Sequence, residues 1–137
     1  MTYAHENQKI GKPVDVIPII QAILDAADFC ERDQEHFFCI GLDTAHKIKY
    51  IRLCTLGLVD QSPVHPREVF RAAIMDACSA VILAHNHPTG IVEPSKEDAA
   101  ITARLKSAGE IIGIEVLDHV IVGQGSDYYS MAEQDVL

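Results

Sequence analysis

The chain has 137 residues, the length of a single domain, and 48% of them are hydrophobic and 23% charged. This is an ordinary globular composition, and a chain of this length buries roughly two-thirds of its unfolded surface when it folds. The sequence has 11 lysines and arginines against 20 aspartates and glutamates, giving a net charge of −9. This surplus argues against sequence-independent DNA binding, which needs a basic surface, but is compatible with a small local basic patch.

The sequence predicts a protein without a membrane segment. No hydrophobic run approaches the roughly 20 residues of a membrane helix, and the first residues do not resemble a signal peptide. The four cysteines lie among apolar neighbours and form no CxxC pair: Cys30, Cys39, Cys54 and Cys78. We therefore expect reduced core cysteines in a cytoplasmic protein, and no cysteine-ligated zinc.

The first half of the chain predicts a polar segment, a helix and two strands. Residues 1–13 are polar and predict a loose arm, followed by helical spacing of apolar residues over 14–31 with Asp15 as the N-cap. Residues 36–42 are apolar on both faces, which is typical of an interior strand. Residues 47–58 alternate in part and predict a second strand paired with the first.

The second half predicts further helices and strands in alternation. Pro66 opens a helix over 66–78, and 80–84 is a short apolar strand that we place at the centre of a sheet. Proline and glycine predict a loop over 85–90. A third helix is expected over 95–107, with Gly109 as its C-terminal stop.

Residues 111–122 predict another strand, and 128–131 an edge strand. Strands that alternate with helices around a buried sheet predict an α/β sandwich. We find no internal repeat or linker, so the expected organisation is one domain over 14–137 preceded by the arm.

The residues with the clearest chemical potential follow the central strand. His85 and His87 are two positions apart, so the period of a strand places both imidazoles on one side. Asp98 follows eleven residues after His87, in the first turn of the next helix, and the loop between them is long enough to fold back. Two imidazoles, a carboxylate and a water form the open coordination of a catalytic zinc.

Two more residues complete a candidate catalytic set. Ser95 lies three residues before Asp98 on the same helix face, where its hydroxyl could donate to an oxygen that gains negative charge. Glu35 directly precedes the first interior strand and is our candidate general base. Ser95 and Asp98 also have the spacing of a helix capping box, which would arise without any chemistry, and the two interpretations are compatible.

This combination resembles the JAB/MPN (JAMM) zinc metalloprotease domain family. That family has an upstream glutamate, then H-x-H, seven residues, serine, two residues and aspartate. The same spacing occurs here from His85 and His87 through Ser95 to Asp98. Within the family, the stretches SPVHPRE (62–68), HNHPTG (85–90) and LDH (117–119) are similar to the RadC-like branch, and the resemblance extends over about residues 14–137.

The resemblance implies an α/β/α sandwich with a central mixed β-sheet, an architecture similar to that of cytidine deaminases. It implies a zinc-dependent hydrolase of an amide, peptide or isopeptide bond, with His85, His87 and Asp98 as zinc ligands. Glu35 would deprotonate the attacking water and then protonate the leaving amine, and Ser95 would stabilise the oxyanion. The branch's helix-hairpin-helix segment does not occur in this sequence, so the branch's DNA-repair label gains no support from these residues.

Alternatives remain open from the sequence. A DNA-repair-associated protein that acts on or near nucleic acid is disfavoured by the charge of −9. A non-catalytic scaffold is disfavoured by the complete ligand set, and a zinc deaminase by the missing P-C-x-x-C motif. His119 and His65 are either structural or neighbours of the site. The sequence leaves open the natural substrate and the oligomeric state, a homodimer included.

Overall fold

The computed structural model describes residues 2–3, 7–27, 33–57 and 64–137, and the structural statements that follow concern these residues. The described elements are, in chain order, β1 (Thr2–Tyr3), a 3₁₀ turn (Pro13–Val16), α1 (Ile17–Asp25), β2 (Glu35–Leu42), β3 (Ile48–Gly57), α2 (Pro66–Met75), β4 (Ala80–Asn86), α3 (Lys96–Ile112), β5 (Glu115–Val122) and β6 (Tyr128–Ser130). Residues 28–32 and 58–63 lie outside them, and with them the predicted end of the first helix, the start of the 62–68 stretch and Cys30. None of the described helices has the length and apolar character needed to cross a membrane.

The described strands form one mixed sheet in the order β1-β3-β2-β4-β5-β6. β4 and β5 are parallel, with α3 as the crossover between them, and the other neighbours are antiparallel. β4 therefore lies between an antiparallel and a parallel partner. All seven of its residues are buried, as expected for a short strand without polar alternation.

Helices cover both faces of the sheet. On one face, Ile17 and Ile20 of α1 pack with Phe38, Ile40 and other residues of the central strands. On the opposite face, Phe70 of α2 and Leu105 of α3 pack against alternate residues of the same strands, including Phe37 and Cys39. This arrangement confirms the predicted α/β/α sandwich with a central mixed sheet.

The central strand is longer than predicted. β4 runs to Asn86 rather than ending at residue 84, because His85 and Asn86 pair with Ile121 and Val122 of β5. On its other side, His85 pairs with Phe37 of β2. The predicted loop begins only at residue 87, so His85 is held inside the sheet.

The end of α3 also differs from the prediction. Gly109 does not stop this helix, which continues to Ile112 and ends at Gly113 in a left-handed conformation with φ of +89°. Gly109 instead permits a close approach of the chain after the helix, since a Cβ there would lie 2.4 Å from the carbonyl oxygen of Ile114. The amides of Gly113 and Ile114 both donate to the Gly109 carbonyl.

The N-terminal region departs from the predicted loose arm. Thr2 and Tyr3 pair with β3, and buried Ile10 donates its amide to the carbonyl of His46. Asp15 is not the N-cap of an α-helix. It lies within the 3₁₀ turn, where its carboxylate accepts hydrogen bonds from the amides of Gly11 and Lys12.

The cysteines described by the structure are free thiols: Cys39, Cys54 and Cys78. Cys39 and Cys78 are buried and Cys54 is half-buried. Burial, followed by the charge of Asp76, raises the pKa of the Cys78 thiol to about 11.

Candidate metal centre

The fold brings His85, His87 and Asp98 together. His85 is in β4, His87 follows its last residue, and Asp98 lies in the first turn of α3. The Nε2 atoms of the two histidines are 3.0 Å apart, and Asp98 Oδ2 lies 3.3 Å from that of His85 and 3.1 Å from that of His87. Three potential ligand atoms thus converge on one point, beyond the C-terminal end of the central strand β4.

Both histidines bring Nε2 to this cluster because their Nδ1 atoms have partners elsewhere. His85 Nδ1 lies 2.7 Å from Nε2 of His119, and His87 Nδ1 lies 2.6 Å from the carbonyl oxygen of Ile91. A carbonyl only accepts hydrogen bonds, so Nδ1 of His87 carries a proton and donates it. In its neutral ring, the lone pair of Nε2 then faces the cluster.

One carboxylate oxygen of Asp98 contacts both the histidines and the backbone at the start of α3. Its Oδ2 faces the histidines and also accepts a 2.9 Å hydrogen bond from the amide of Ser95. Burial opposes ionisation of this carboxyl, but the imidazoles of His85 and His87, which donate hydrogen bonds to it when they are protonated, outweigh burial and hold its pKa well below the usual range. Asp98 is therefore a carboxylate at neutral pH.

His87 responds to the same carboxylate. Its hydrogen bond to Asp98 raises the pKa of the imidazole, burial acts against this, and the Ile91 carbonyl and the charge of Glu35 add to the rise. Nitrogen and oxygen lone pairs this close repel one another unless a cation lies among them. A proton or a metal ion is such a cation. The raised pKa of His87 shows that the cluster favours a bound positive charge.

The geometry fits zinc. Zn²⁺ lies about 2.0–2.1 Å from nitrogen and oxygen ligands, so the corners of a zinc tetrahedron are about 3.3–3.4 Å apart. The three observed separations, 3.0 to 3.3 Å, need only small adjustments to reach that spacing. Two imidazoles and one carboxylate occupy three corners, as in catalytic zinc sites that keep one position for water or substrate.

Glu35 starts β2 on the same side of the sheet. Phe37 pairs with His85 across the strands and stacks on its ring, and extending this register by two residues places Glu35 near His87. Glu35 is half-buried, and its charge acts on His87. His36 points to the opposite face, where its ring stacks on Phe38, as the strand period predicts.

The side chain of Asn86, between the two histidines, hydrogen-bonds to the backbone of the residues on both sides of Glu35. Its side-chain oxygen accepts a 2.6 Å hydrogen bond from the amide of His36, and its side-chain nitrogen donates to the carbonyl of Gln34. Sequence reasoning gave this residue no role. An Asn that follows a buried strand was the available signal, because its amide can imitate the pairing of one more strand residue.

Ser95 is the N-cap of α3. Its hydroxyl oxygen accepts a 3.0 Å hydrogen bond from the amide of Asp98, and the reciprocal bond completes the capping box. This bond does not use the hydroxyl hydrogen of Ser95, so cap and donor remain compatible roles. The capping interpretation of this pair is confirmed.

His119 and His65, whose roles the sequence leaves open, lie in different surroundings. His119 is wholly buried beside His85, and this burial lowers its pKa well below the ordinary value. His65 is exposed, and it begins α2 through its backbone without a side-chain cap. His119 therefore belongs to the surroundings of the cluster, whereas His65 caps α2 only through its backbone.

A cavity of about 390 Å³ adjoins the cluster beside His87. Asn86 and Pro88 also line it, and its other walls come from α1 and from the turn after β5, among them Gln21 and Gln124. Of the three cluster residues, His87 lines this cavity, whereas His85 and Asp98 do not.

Comparison with known proteins agrees with this geometry. A sequence model described as the RadC-like JAB domain matches residues 10–136. The chain belongs to the RadC-like JAB domain family. It is 45% identical to a UPF0758 protein of Rubrobacter xylanophilus over 93% of this chain and 53% of that protein. It is 52% identical to a UPF0758 protein of Pelobacter propionicus over 79% and 46%, and 37% identical to one of Methanosarcina mazei over 97% and 56%.

The RadC-like JAB domain described here spans about half the length of these curated relatives. The names of these relatives state no activity. Family and geometry together are consistent with a metal-dependent hydrolase, because the buried His-His-Asp group can hold a metal ion and JAB domains usually depend on zinc.

Proposed function

We propose that this RadC-like JAB domain is a zinc-dependent hydrolase of an amide bond in a peptide, protein or isopeptide-linked substrate. The observation that carries the proposal is the convergence of His85, His87 and Asp98, whose ligand atoms lie 3.0 to 3.3 Å apart. The separations and the donor types support zinc, and family membership supports hydrolysis.

Zinc held by these three residues would lower the pKa of water towards about 7 and polarise the substrate carbonyl. The residues of the chain supply the rest of the mechanism. The carbonyl of Ile91 fixes the ring of His87, and the start of α3 fixes the carboxylate of Asp98. Both ligands are therefore held in place before substrate arrives, which reduces the reorganisation needed during the reaction.

Glu35 is the proposed general base. Its place near His87, at the half-buried end of β2, supports a carboxylate close to the attacking water. Glu35 removes a proton from that water as the new C–O bond forms, and later delivers it to the nitrogen of the breaking C–N bond. The products are a carboxylate and an amine.

Ser95 is the proposed oxyanion donor. Its oxygen is engaged with the amide of Asp98, so the side chain is held in one rotamer with the hydroxyl hydrogen still available. A donor placed in this way stabilises the substrate carbonyl oxygen as it becomes negative.

The first experiment is elemental analysis of protein purified without chelator or a histidine tag. We expect about one zinc per chain, and none in the variants His87→Ala and Asp98→Ala. His65→Ala, which removes an exposed histidine at the start of α2, is the matched control and should keep its zinc. A wild-type protein that holds no zinc and takes up none at neutral pH would refute the proposal.

The second experiment screens zinc-loaded protein against peptide and isopeptide libraries by mass spectrometry. A substrate that the wild type cleaves and the Asp98→Ala variant leaves intact establishes the class of bond that is hydrolysed. If zinc is bound but no library member is cleaved, binding of single-stranded or forked DNA at physiological salt tests the nucleic-acid alternative. Partner capture with zinc-free protein tests the scaffold alternative.

A further inference from the structure

A chain of buried hydrogen bonds runs from the metal cluster back to its own aspartate. His85 Nδ1 lies 2.7 Å from His119 Nε2, and His119 Nδ1 lies 2.5 Å from the hydroxyl oxygen of Thr102. That hydroxyl lies 2.7 Å from the backbone carbonyl oxygen of Asp98. His85 and His119 have no exposed surface, and Thr102 is 3% exposed, so water does not compete for these bonds.

The direction of every bond in this chain follows from its last member. A carbonyl oxygen only accepts, so the Thr102 hydroxyl donates its one hydrogen to Asp98. The hydroxyl oxygen must then accept from Nδ1 of His119. A buried neutral imidazole carries a single N–H, which leaves a lone pair on His119 Nε2 to accept from His85 Nδ1.

The consequence appears at the cluster. With its proton on Nδ1, neutral His85 has its lone pair on Nε2, the atom that lies 3.0 Å from His87 and 3.3 Å from Asp98. The opposite tautomer would direct an N–H at these atoms and could not ligate a metal. His87 is held in the matching tautomer by one backbone carbonyl, whereas His85 depends on two side chains.

Resting on the proposed zinc site, we propose that His119 and Thr102 are positioning residues that hold His85 in its metal-binding tautomer and thereby set the zinc affinity of the cluster. Partners of this kind typically change metal affinity by about 10–100-fold when they are removed. Neither residue touches the metal position. His119 acts on the cluster through His85, and Thr102 acts on His85 through His119 while its hydroxyl also bonds the backbone carbonyl of Asp98.

The test compares Thr102→Val and His119→Phe with wild type. Each variant removes one polar link and keeps the approximate size of the side chain. Thr55→Val and His36→Phe are matched controls, since the buried Thr55 hydroxyl has no hydrogen-bond partner among the described residues and His36 packs on the opposite face. Zinc affinity is measured by competition with a chromophoric chelator, and the free energy of unfolding is measured on zinc-free protein.

We expect zinc affinity to fall about 10–100-fold in both relay variants and by less than about twofold in the controls. His119→Gln restores an acceptor for His85 Nδ1–H and should recover part of the loss. Equal losses in His119→Gln and His119→Phe, or unchanged affinity in Thr102→Val and His119→Phe, would overturn the proposal.

Long-range ¹H–¹⁵N NMR of the zinc-free protein reads the tautomer of His85 directly. The wild type should show the Nδ1–H form, and Thr102→Val and His119→Phe should show a mixture. This readout separates the two proposals. A wild type that binds no zinc refutes the hydrolase, whereas an Nε2–H form of His85 in the wild type refutes the relay even if zinc is bound.

Discussion

Replacing Asn86 by alanine should destabilise the protein far more than an average polar substitution. The Asn86 side chain is almost wholly buried and satisfies two backbone groups, the amide of His36 and the carbonyl of Gln34. Each hydrogen bond contributes about 1 kcal/mol, and the His36 amide, left buried without a partner, adds about 1–3 kcal/mol, whereas the Gln34 carbonyl keeps the His36 ring nearby. We expect a loss of about 2–4 kcal/mol, out of a total stability of about 5–15 kcal/mol.

The assay is urea unfolding of zinc-free protein, in which metal binding does not contribute to the measured stability. With a slope of about 2 kcal/mol per molar urea, the middle of the usual range, the midpoint should fall by about 1–2 M. Asn86→Asp keeps the acceptor for His36 but loses the donor to Gln34. Its loss in free energy of unfolding should therefore differ from that of Asn86→Ala. A change below about 0.5 kcal/mol in Asn86→Ala would show that these two bonds do not hold β2 to β4.

Three other predictions concern separate parts of the molecule. Glu35→Gln should keep about one zinc per chain and cleave a confirmed substrate about 10²–10⁴-fold more slowly; a rate equal to wild type would exclude the base role. Gly109→Ala should lower the free energy of unfolding by about 1–3 kcal/mol despite the better helix propensity of alanine, because its Cβ would lie 2.4 Å from the Ile114 carbonyl. A stability gain would contradict that reasoning. Since burial raises the pKa of Cys78 to about 11 from 9.0, its thiolate fraction at pH 8 falls from about 9% to about 0.1%. Its alkylation, followed by mass spectrometry, should be about a hundredfold slower than in urea, rising with pH towards 11; equal rates would argue against a shifted thiol.

The sequence predicted the cluster because its ligands lie close together along the chain. Strand period placed His85 and His87 on one side, and the eleven residues between His87 and Asp98 allowed the helix start to fold back. The layered fold was predictable for a similar reason, since helical and strand patterns alternate in local windows.

What escaped prediction depends on contacts between distant segments. β4 extends to Asn86 because strands on both sides pair with it, although Pro88 and Gly90 signal a loop nearby. Gly109 has the appearance of a helix stop, and only the position of Ile114 shows why a side chain is not accommodated there. The polar residues 1–13 carry no strand period, yet the described part of them adds to the edge of β3.

Asp98 contacts both the two histidines and the amide of Ser95, and this limits how the domain can change in evolution. Its Oδ2 atom accepts a hydrogen bond from the amide of Ser95, the N-cap of α3, and also faces the two histidines, so selection for folding alone opposes loss of this oxygen. Asparagine offers an oxygen for the Ser95 amide but brings no negative charge to the histidines. A lineage that abandons chemistry and keeps the fold would therefore pass most easily through asparagine at this position.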